Sequence, residues 1–507
     1  MSRPVGADDL GVRLAPGPDR VLDVHFDGRR IWSFRATRDS ETTDSAELLV
    51  RWPQSMRGHL NGRTHLLITD GVTDETMFEG EVSLGRGSGR IALVNDVGAE
   101  LSVDNYGALV PTFNARSDAE VAPLLHAMEL VIELLQQHVD VFLGYGTLLG
   151  AVREGNFIGH DSDVDLAYVS RHTTPVDVVR ESFRLQRQLS RAGLSIQRYS
   201  GAAFKVEVTE SDGVVRGLDV FGGFFDEDTL YLMGEIGTPF RVEWIRPLGE
   251  CTLAGRTFPA PARADKMLEA MYGAHWQVPD PTFRFETPTS TTRALSGWFR
   301  GTRPTRSQWA SYFRNRARTA PAPSGMGLAP AIRAEATPGS HVIDLGCGRG
   351  ALMWWLARKG YRVTGFDYVP WAAEAAVQAA RAEGLELAVR ELNLNEWRST
   401  MAQGAWLAQA GEPRVVVARH LFDELDEFGM HSAARFIETA CAAGGTSIAR
   451  FWAGGQQGPF RTSRRTDPDE VCAVLESRGA TIRRVTRDDS PSGRDTQIAT
   501  VIAGWER

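Results

Sequence analysis

Residues 141–166 read VFLGYGTLLGAVREGNFIGHDSDVDL, the stretch on which the reading of the whole chain turns. Residues 139–143 form an apolar strand pattern that enters Gly144-Tyr145-Gly146-Thr147, and LLGAVR continues as a short helix. Glycines ahead of a helix N-terminus let backbone N–H groups approach a phosphate, and the Thr147 hydroxyl adds a donor. Asp161-Ser162-Asp163-Val164-Asp165-Leu166 follows. On a strand, Asp163 and Asp165 are i and i+2, so both carboxylates leave one face. They repel unless a cation lies between them, and oxygen-only ligation suits Mg²⁺ beside a phosphate. The later strand GLDVFGGFF supplies Asp219 as a third ligand. Lys205, in the alternating strand FKVEV, either meets a phosphate or snorkels along the surface, and the sequence favours the second. A lone D-x-D is more often a solvated turn; here the glycine turn and the surrounding apolar strand favour a site.

The stretch GYGTLLGAVREGNFIGHDSDVDL closely resembles the signature of the LicD/fukutin-related family, which runs roughly G-T-L-L-G-x-x-R and then G-F-I-x-x-D-x-D-[IV]-D. Leu218-Asp219-Val220-Phe221 resembles the family's later D-[IV]-F element, and KMLEAMYGAHWQVP its closing segment. The likeness covers about residues 116–281. It implies an α+β nucleotidyltransferase-like fold that moves a phospho-alditol or phosphocholine group from a CDP-activated donor onto a glycan hydroxyl. Carried over, Asp163, Asp165 and Asp219 hold Mg²⁺ with Asp161 nearby, and they are the catalytic acids. Gly146 and Thr147 take the donor phosphate, and Arg153 clamps it. His160 stands where an aromatic is common and Ser162 where an Asp is common, departures that bear on donor choice more than on the metal.

A second glycine turn, Val342-Ile343-Asp344-Leu345-Gly346-Cys347-Gly348-Arg349-Gly350, ends a strand and opens a helix. Alone, G-x-G-x-G equally introduces a dinucleotide site. Asp344 inside the strand, and Asp367 closing the next strand, make the arrangement similar to class I S-adenosylmethionine-dependent methyltransferases. That resemblance gives Gly346, Gly348 and Gly350 the close approach to the methionyl part. It gives Asp367 the ribose hydroxyls, and Asp344 the ordering of the loop and a reach to the methionyl amine. Asn393 or Asn395 stands where the family often places an acid for the adenine amine. His420, after the fourth strand, is either a general base or an edge histidine. Arg450, Arg461, Arg464 and Arg465 either line an acceptor pocket or form a solvated face. Cys347 is a packing residue, since nothing near it in sequence would activate a thiol.

Outward from these two sites the chain divides into a multidomain protein. Residues 1–114 alternate apolar and polar positions between turns, predicting a β-sandwich, with VLDVHF, Asp27-Gly28 and IWSFRA as a type I′ hairpin. No ligand constellation shows there, and a structural or docking module is expected. Residues 115–283 are the LicD-like part, opened by a Ser117/Glu120 capping box before Val121, Leu124, Leu125, Met128, Val131, Ile132 and Leu135. Residues 284–318 are arginine-rich, with Arg284, Arg293, Arg300, Arg303, Arg306, Arg314, Arg316 and Arg318 against Glu286 alone. They suit a solvated linker flowing into a helix, or a contact for an anionic surface. Residues 319–507 alternate strands and helices, the rhythm of an α/β Rossmann-like methyltransferase domain.

At 42% apolar and 24% charged, the 507 residues are globular, and a net charge of −8 argues against nucleic acid as a partner. Cys251, Cys347, Cys441 and Cys472 are scattered without a C-x-x-C pair, which fits a reducing compartment better than a disulfide framework. With neither an apolar leader nor a spanning run, the expected location is cytoplasmic, with peripheral contact at the inner face of the membrane through the arginine-rich segment as an option. The combined expectation is a bifunctional transferase of cell-surface glycan or cell-wall assembly. Mg²⁺ and S-adenosyl-L-methionine are its cofactors, and a CDP-activated donor and a glycan or polyol-phosphate acceptor its partners. The alternatives are a methyltransferase whose LicD-like part only binds substrate, and a non-catalytic glycan-assembly module. Oligomeric state is not legible.

Overall fold

The computed structural model describes residues 4–44, 47–96, 98–104, 107–209, 215–303, 305–453, 466–489 and 497–506. They form two compact units, Met1–Ala294 and Leu295–Arg507.

The first unit begins with two antiparallel four-stranded sheets. One pairs Pro4–Ala7, Gly11–Leu14, Leu48–Arg51 and Glu41–Thr42 in that spatial order; the other pairs Arg29–Arg35, Val21–Phe26, Gly62–Asp70 and Thr76–Leu84. Alternation of buried and partly exposed residues along Gly62–Asp70 directs one face inward, and both sheets bury a single cluster that includes Leu14, Leu22, Phe34, Trp52 and Ile68. The expected hairpin is present: Val21–Phe26 pairs with Arg29–Arg35, and Asp27 (φ 50°) and Gly28 (φ 83°) both take the left-handed backbone of a type I′ turn.

A helix, Asp118–Gln136, then opens behind Ser117, whose N–H and hydroxyl both donate to Glu120 Oε2 at 2.8 Å. Its periodic residues Leu124, Leu125, Met128, Val131, Ile132 and Leu135 are buried, as their spacing predicts. They cover a mixed sheet in which Val141–Leu143, Val164–Val169, Val215–Asp226, Ala203–Thr209 and Ser195–Arg198 lie side by side in that order. Only the second and third of these run parallel. Helix Tyr145–Arg153 starts at Tyr145, so Gly146 and Thr147 occupy its first turn instead of preceding it.

The second unit is a seven-stranded sheet. Ala388–Glu391, Arg362–Asp367, His341–Leu345, Arg414–Arg419 and Gly445–Trp452 run parallel, followed by antiparallel Gln497–Trp505 and Thr481–Asp489. The central strand His341–Leu345 is buried throughout, as expected of a strand covered on both faces. A helix at Trp397–Ala408, not foreseen from the sequence, joins the third and fourth parallel strands.

The boundary expected between residues 318 and 319 lies earlier. Leu295, Phe299 and Phe313 are buried, and Phe313 clusters with Val369 and Ala372, so residues 295–318 fold as part of the second unit and not as a linker. Among the described residues no helix is long and apolar enough to cross a membrane.

Candidate active sites

Three carboxylates meet in the first unit because of strand register. Val164–Val169 pairs in parallel with Val215–Asp226 so that Asp165 stands opposite Asp219, and Asp163 precedes Asp165 on the same face. One oxygen from each of Asp163, Asp165 and Asp219 lies within 4.8 Å of the others. Burial, with repulsion from Asp163, Asp161 and Asp219 added, pushes the Asp165 carboxyl far above its ordinary range. Burial and Asp163 do the same to Asp161. Asp219 is pushed up to about 6, burial again being the main cause, while Lys205 pulls it back. A donor set made only of oxygens, mutually repelling and partly desolvated, fits a hard divalent cation such as Mg²⁺.

The surrounding residues fix this cluster. Gly144 N–H donates to the Asp165 carbonyl, and Asp165 N–H donates to Thr147 Oγ1 at 2.9 Å, so helix and strand are laced together. Thr147 is buried and does not line the cavity; its observed contact braces the carboxylate strand, whereas the sequence suggested a hydroxyl offered to a phosphate. Gly146 does line it, and a Cβ there would stand 2.3 Å from Asp161 Oδ2, so only glycine allows the helix this close to the acid loop. Arg153 also faces the cavity, its guanidinium against Glu154 Oε1. Lys205 does not snorkel away: it pairs with Asp219 across the antiparallel strands, Nζ 3.7 Å from Oδ1, and the Tyr199 hydroxyl donates to the same oxygen at 3.2 Å. Arg116 donates to the Ser162 carbonyl at 3.1 Å and supports the acid loop from behind.

The cavity, about 530 Å³, is lined by Gly146, Arg153, Asp161 and Asp163 on one side. On the other side stand residues of the N-terminal β-domain, among them Asp19, Arg20, Arg35 and Asp70. The sequence showed no ligand constellation in that domain. The structure places five of its charged residues, Asp104 included, on the wall of the carboxylate cavity.

In the second unit, a cavity of about 870 Å³ opens at the carboxyl ends of the parallel strands. Asp344, Gly346, Gly348, Asp367 and His420 all line it, together with Asn393 and Asn395. Gly348 N–H donates to Asp367 Oδ2 and Val369 N–H to Asp367 Oδ1, both at 2.8 Å, so the carboxylate is fixed at the lip of the glycine turn. Gly350 does not line the cavity; it begins the helix, where a Cβ would come within 3.1 Å of Ala376 Cβ. Asp344 is buried, its Oδ2 has no partner, and burial with the nearby Asp367 pushes its carboxyl up to about 7. An unpartnered buried acid oxygen at a cavity lip fits a ligand ammonium group. Asn393 is already engaged, donating to the Thr302 carbonyl and accepting from Asn395 N–H, while Asn395 Oδ1 is buried without a partner.

Residues 138–263 match the profile of the LicD/FKTN/FKRP nucleotidyltransferase domain, and residues 308–452 match that of a methyltransferase domain. The chain carries a LicD-type nucleotidyltransferase domain and a methyltransferase domain. No curated protein matches its sequence. Solved structures similar to the methyltransferase part include a TehB-like SAM-dependent methyltransferase from Corynebacterium glutamicum (21% identity, 40% of this chain and 98% of that one, TM-score 0.28). A SAM-dependent methyltransferase from Anabaena variabilis (14% identity, 40% and 95%, TM-score 0.32) is another. A third is the magnesium protoporphyrin IX methyltransferase from Synechocystis with bound SAH (16% identity, 44% and 90%, TM-score 0.26).

Several features of the methyltransferase domain escaped the sequence. Helix Arg306–Arg316 contributes Trp309, Tyr312 and Phe313 to this cavity, an aromatic i, i+3, i+4 face hidden in arginine-rich sequence. His420 has a left-handed backbone (φ 50°), stacks on Trp452 at 5.0 Å, and shares a 3.1 Å hydrogen bond from Nδ1 to buried Asp423 Oδ2. That arrangement orients the imidazole into the cavity. Of the arginines expected near an acceptor, Arg450 donates to the Gly327 carbonyl at 3.0 Å and does not line the cavity; Arg461, Arg464 and Arg465 lie outside the described residues. Arg316, Arg349 and Arg419 line it instead. Cys347 is buried and its thiol is pushed well up by burial, in keeping with a packing role.

Proposed function

We propose that the chain is a bifunctional enzyme of cell-surface glycan assembly. The LicD-family domain carries out Mg²⁺-dependent transfer of a phospho-alditol or phosphocholine group from a CDP-activated donor to a glycan hydroxyl, the diphosphate P–O bond breaking and CMP leaving. The methyltransferase domain methylates the same glycan or its new phosphate. The observation that carries this reading is the convergence of Asp163, Asp165 and Asp219 within 4.8 Å beside a cavity that Gly146 and Arg153 also line.

In this reading Asp163, Asp165 and Asp219 hold Mg²⁺, which when bound neutralises the donor's phosphates and polarises the transferred phosphorus. Gly146 lets the helix N-terminus close on the acid loop at the donor-phosphate end of the cavity, and Arg153 turns from Glu154 to clamp that phosphate. Asp161, kept protonated-leaning by burial and Asp163, stands ready to accept the proton of the attacking hydroxyl once a cation offsets that repulsion. In the second domain S-adenosyl-L-methionine supplies an electrophilic methyl group. Asp344 meets its ammonium, Asp367 its ribose hydroxyls and Asn395 Oδ1 its adenine amine. His420, held by Asp423, takes the proton from a sugar or alditol hydroxyl. The protein works in the cytoplasm on a soluble or membrane-facing glycan precursor.

The test is mass spectrometry of a glycan acceptor incubated with the full chain, Mg²⁺, S-adenosylmethionine and a panel of CDP-linked alditols and CDP-choline. Two mass increments, one phosphoester and one methyl, support the proposal. A methyl increment with no phosphoester from any donor reduces the LicD-family domain to a binding role.

A further inference from the structure

We propose that the N-terminal β-domain forms the acceptor wall of the carboxylate cavity, and that this wall takes a neutral, hydroxyl-rich saccharide end. The assignment rests on the phosphotransfer reading of that cavity.

The wall is built from ion pairs. Arg20 Nη1 lies 3.1 Å from Asp70 Oδ2 and 3.2 Å from Glu75 Oε2. Arg35 reaches Asp19 at 3.1 Å and Asp280, from the LicD-like part, at 2.6 Å. Asp70 is further fixed by N–H donors from Val72 and Thr73, at 3.0 and 3.1 Å to its Oδ1. Each of the two guanidiniums is thus matched by carboxylates, and Asp19, Asp70 and Asp104 outnumber Arg20 and Arg35 among the wall residues. A phosphate or carboxylate ligand would face net negative charge here. A polyol would not: a guanidinium has more N–H donors than these pairs consume, and carboxylate oxygens accept from several donors, so hydroxyls find both roles at fixed positions.

The rest of the cavity agrees. Trp276 and Tyr272 line the same cavity and add apolar ring surface that suits the C–H groups of a saccharide. Val72 on the β-domain and Val278 on the transferase side form its lips, 57% and 49% exposed, leaving the cavity open for a chain longer than its end residue. Since Asp163 and Gly146 line the same cavity, a saccharide hydroxyl held by this wall shares one enclosure with the groups assigned to the donor.

The test uses the full chain and two probes: an array of neutral and phosphorylated glycans, and CDP with Mg²⁺ by calorimetry. The variants are Arg20→Ala, which removes a wall donor, and Val72→Arg, an exposed lip position whose change does not touch the core. Both are expected to lose neutral-glycan binding by about tenfold or more, the cost of a charge-assisted hydrogen bond or a blocked lip, while CDP affinity stays within about twofold. Wild-type binding confined to phosphorylated glycans, no binding to any neutral glycan, or full binding by Val72→Arg overturns the proposal. A fall in CDP affinity in both variants also overturns it, by assigning the wall to the donor. If the wild-type chain binds no CDP but loses glycan in both variants, the acceptor wall stands and the CDP-donor reading falls.

Discussion

Asp165 and Asp219 are register partners on two parallel strands, which puts carboxylates separated by more than fifty residues of sequence on one face of one sheet. On the far side of the same strand Lys205 is the register partner of Asp219. A pair of neighbouring carboxylates and a fixed ammonium therefore flank one carboxylate. Lys205 leaves Asp219 able to ionise near neutrality, and the remaining repulsion is what a divalent ion would relieve.

The first prediction follows from that repulsion. Adding Mg²⁺ raises the melting temperature of the wild-type chain and not of Asp163→Asn, as read by scanning calorimetry. Phosphotransfer by Asp163→Asn or by EDTA-treated protein falls about a hundredfold or more, the several kcal/mol expected of a lost Lewis acid. Cofactor binding in the other domain stays unchanged. Full phosphotransfer in metal-stripped protein would remove the metal from the mechanism.

Much of the local structure was legible because its determinants are local. The Asp27-Gly28 turn, the Ser117/Glu120 cap and the glycine turn at 346–350 each rest on residues within a few positions of one another. The carboxylate spacing at 163 and 165 was equally plain. What was hidden depends on sheet order. The Lys205–Asp219 pair exists only because Val215–Asp226 lies between Val164–Val169 and Ala203–Thr209. The wall residues Arg20 and Asp70 reach the cavity only through tertiary placement, and composition masked the aromatic face of helix Arg306–Arg316.

His160 gives a second prediction. Burial first, then Arg30 and Arg153, hold its imidazole down to about 3, against 6.5 when unfolded. A depressed histidine contributes stability that is complete above about pH 6.5 and is lost as pH falls towards 3. His160→Phe replaces it with an aromatic that cannot charge. The variant should lose several °C less than wild type in melting temperature between pH 7 and pH 5. Parallel acid-melting curves would refute this role.

Asp344 gives a third, with the opposite sign. Its folded value of about 7 lies above the 3.8 of the unfolded chain, so its stabilising share is complete below about pH 4 and is lost as pH rises through 7. The cofactor ammonium favours the ionised form. Affinity for S-adenosylmethionine should therefore rise with pH, by up to about tenfold per unit, and level off above 7. Calorimetry at pH 6 in two buffers of different ionisation enthalpy should show proton release on binding, and Asp344→Asn should abolish it. Proton-neutral binding by the wild-type chain would place the ammonium elsewhere.

A fourth concerns Asp367, whose two oxygens accept from Gly348 and Val369 N–H groups and so tie the glycine turn to the end of strand Arg362–Asp367. Asp367→Ala removes both anchors and the expected ribose acceptor. Cofactor affinity should fall by about tenfold to a hundredfold, while the fold, held by the buried strands around it, persists by circular dichroism. Unchanged affinity would mean that the cofactor binds at another edge of the sheet.

The last prediction concerns the atom that is methylated. A hydroxyl acceptor needs a base, whereas a phosphate oxygen is already ionised and needs only cations to hold it. His420 lines the cofactor cavity, stacks on Trp452 and is oriented from Nδ1 by Asp423, whose Oδ2 also accepts from Trp452 N–H at 3.2 Å. A buried carboxylate that fixes one ring nitrogen leaves the other directed at the acceptor, the arrangement a hydroxyl route requires. Against this, Arg450, Arg316 and Arg349 donate to the Gly327, Tyr312 and Thr319 carbonyls, and Arg419 lines the cavity next to His420. The balance favours a sugar or alditol hydroxyl. At saturating cofactor, methyl transfer by His420→Ala should fall about a hundredfold or more in kcat, and Asp423→Asn should lower kcat with little change in KM for the glycan. If His420→Ala turns over at the wild-type rate while Arg419→Gln raises the KM for the phosphorylated glycan, the acceptor is the phosphate, and the histidine is a packing partner of Trp452.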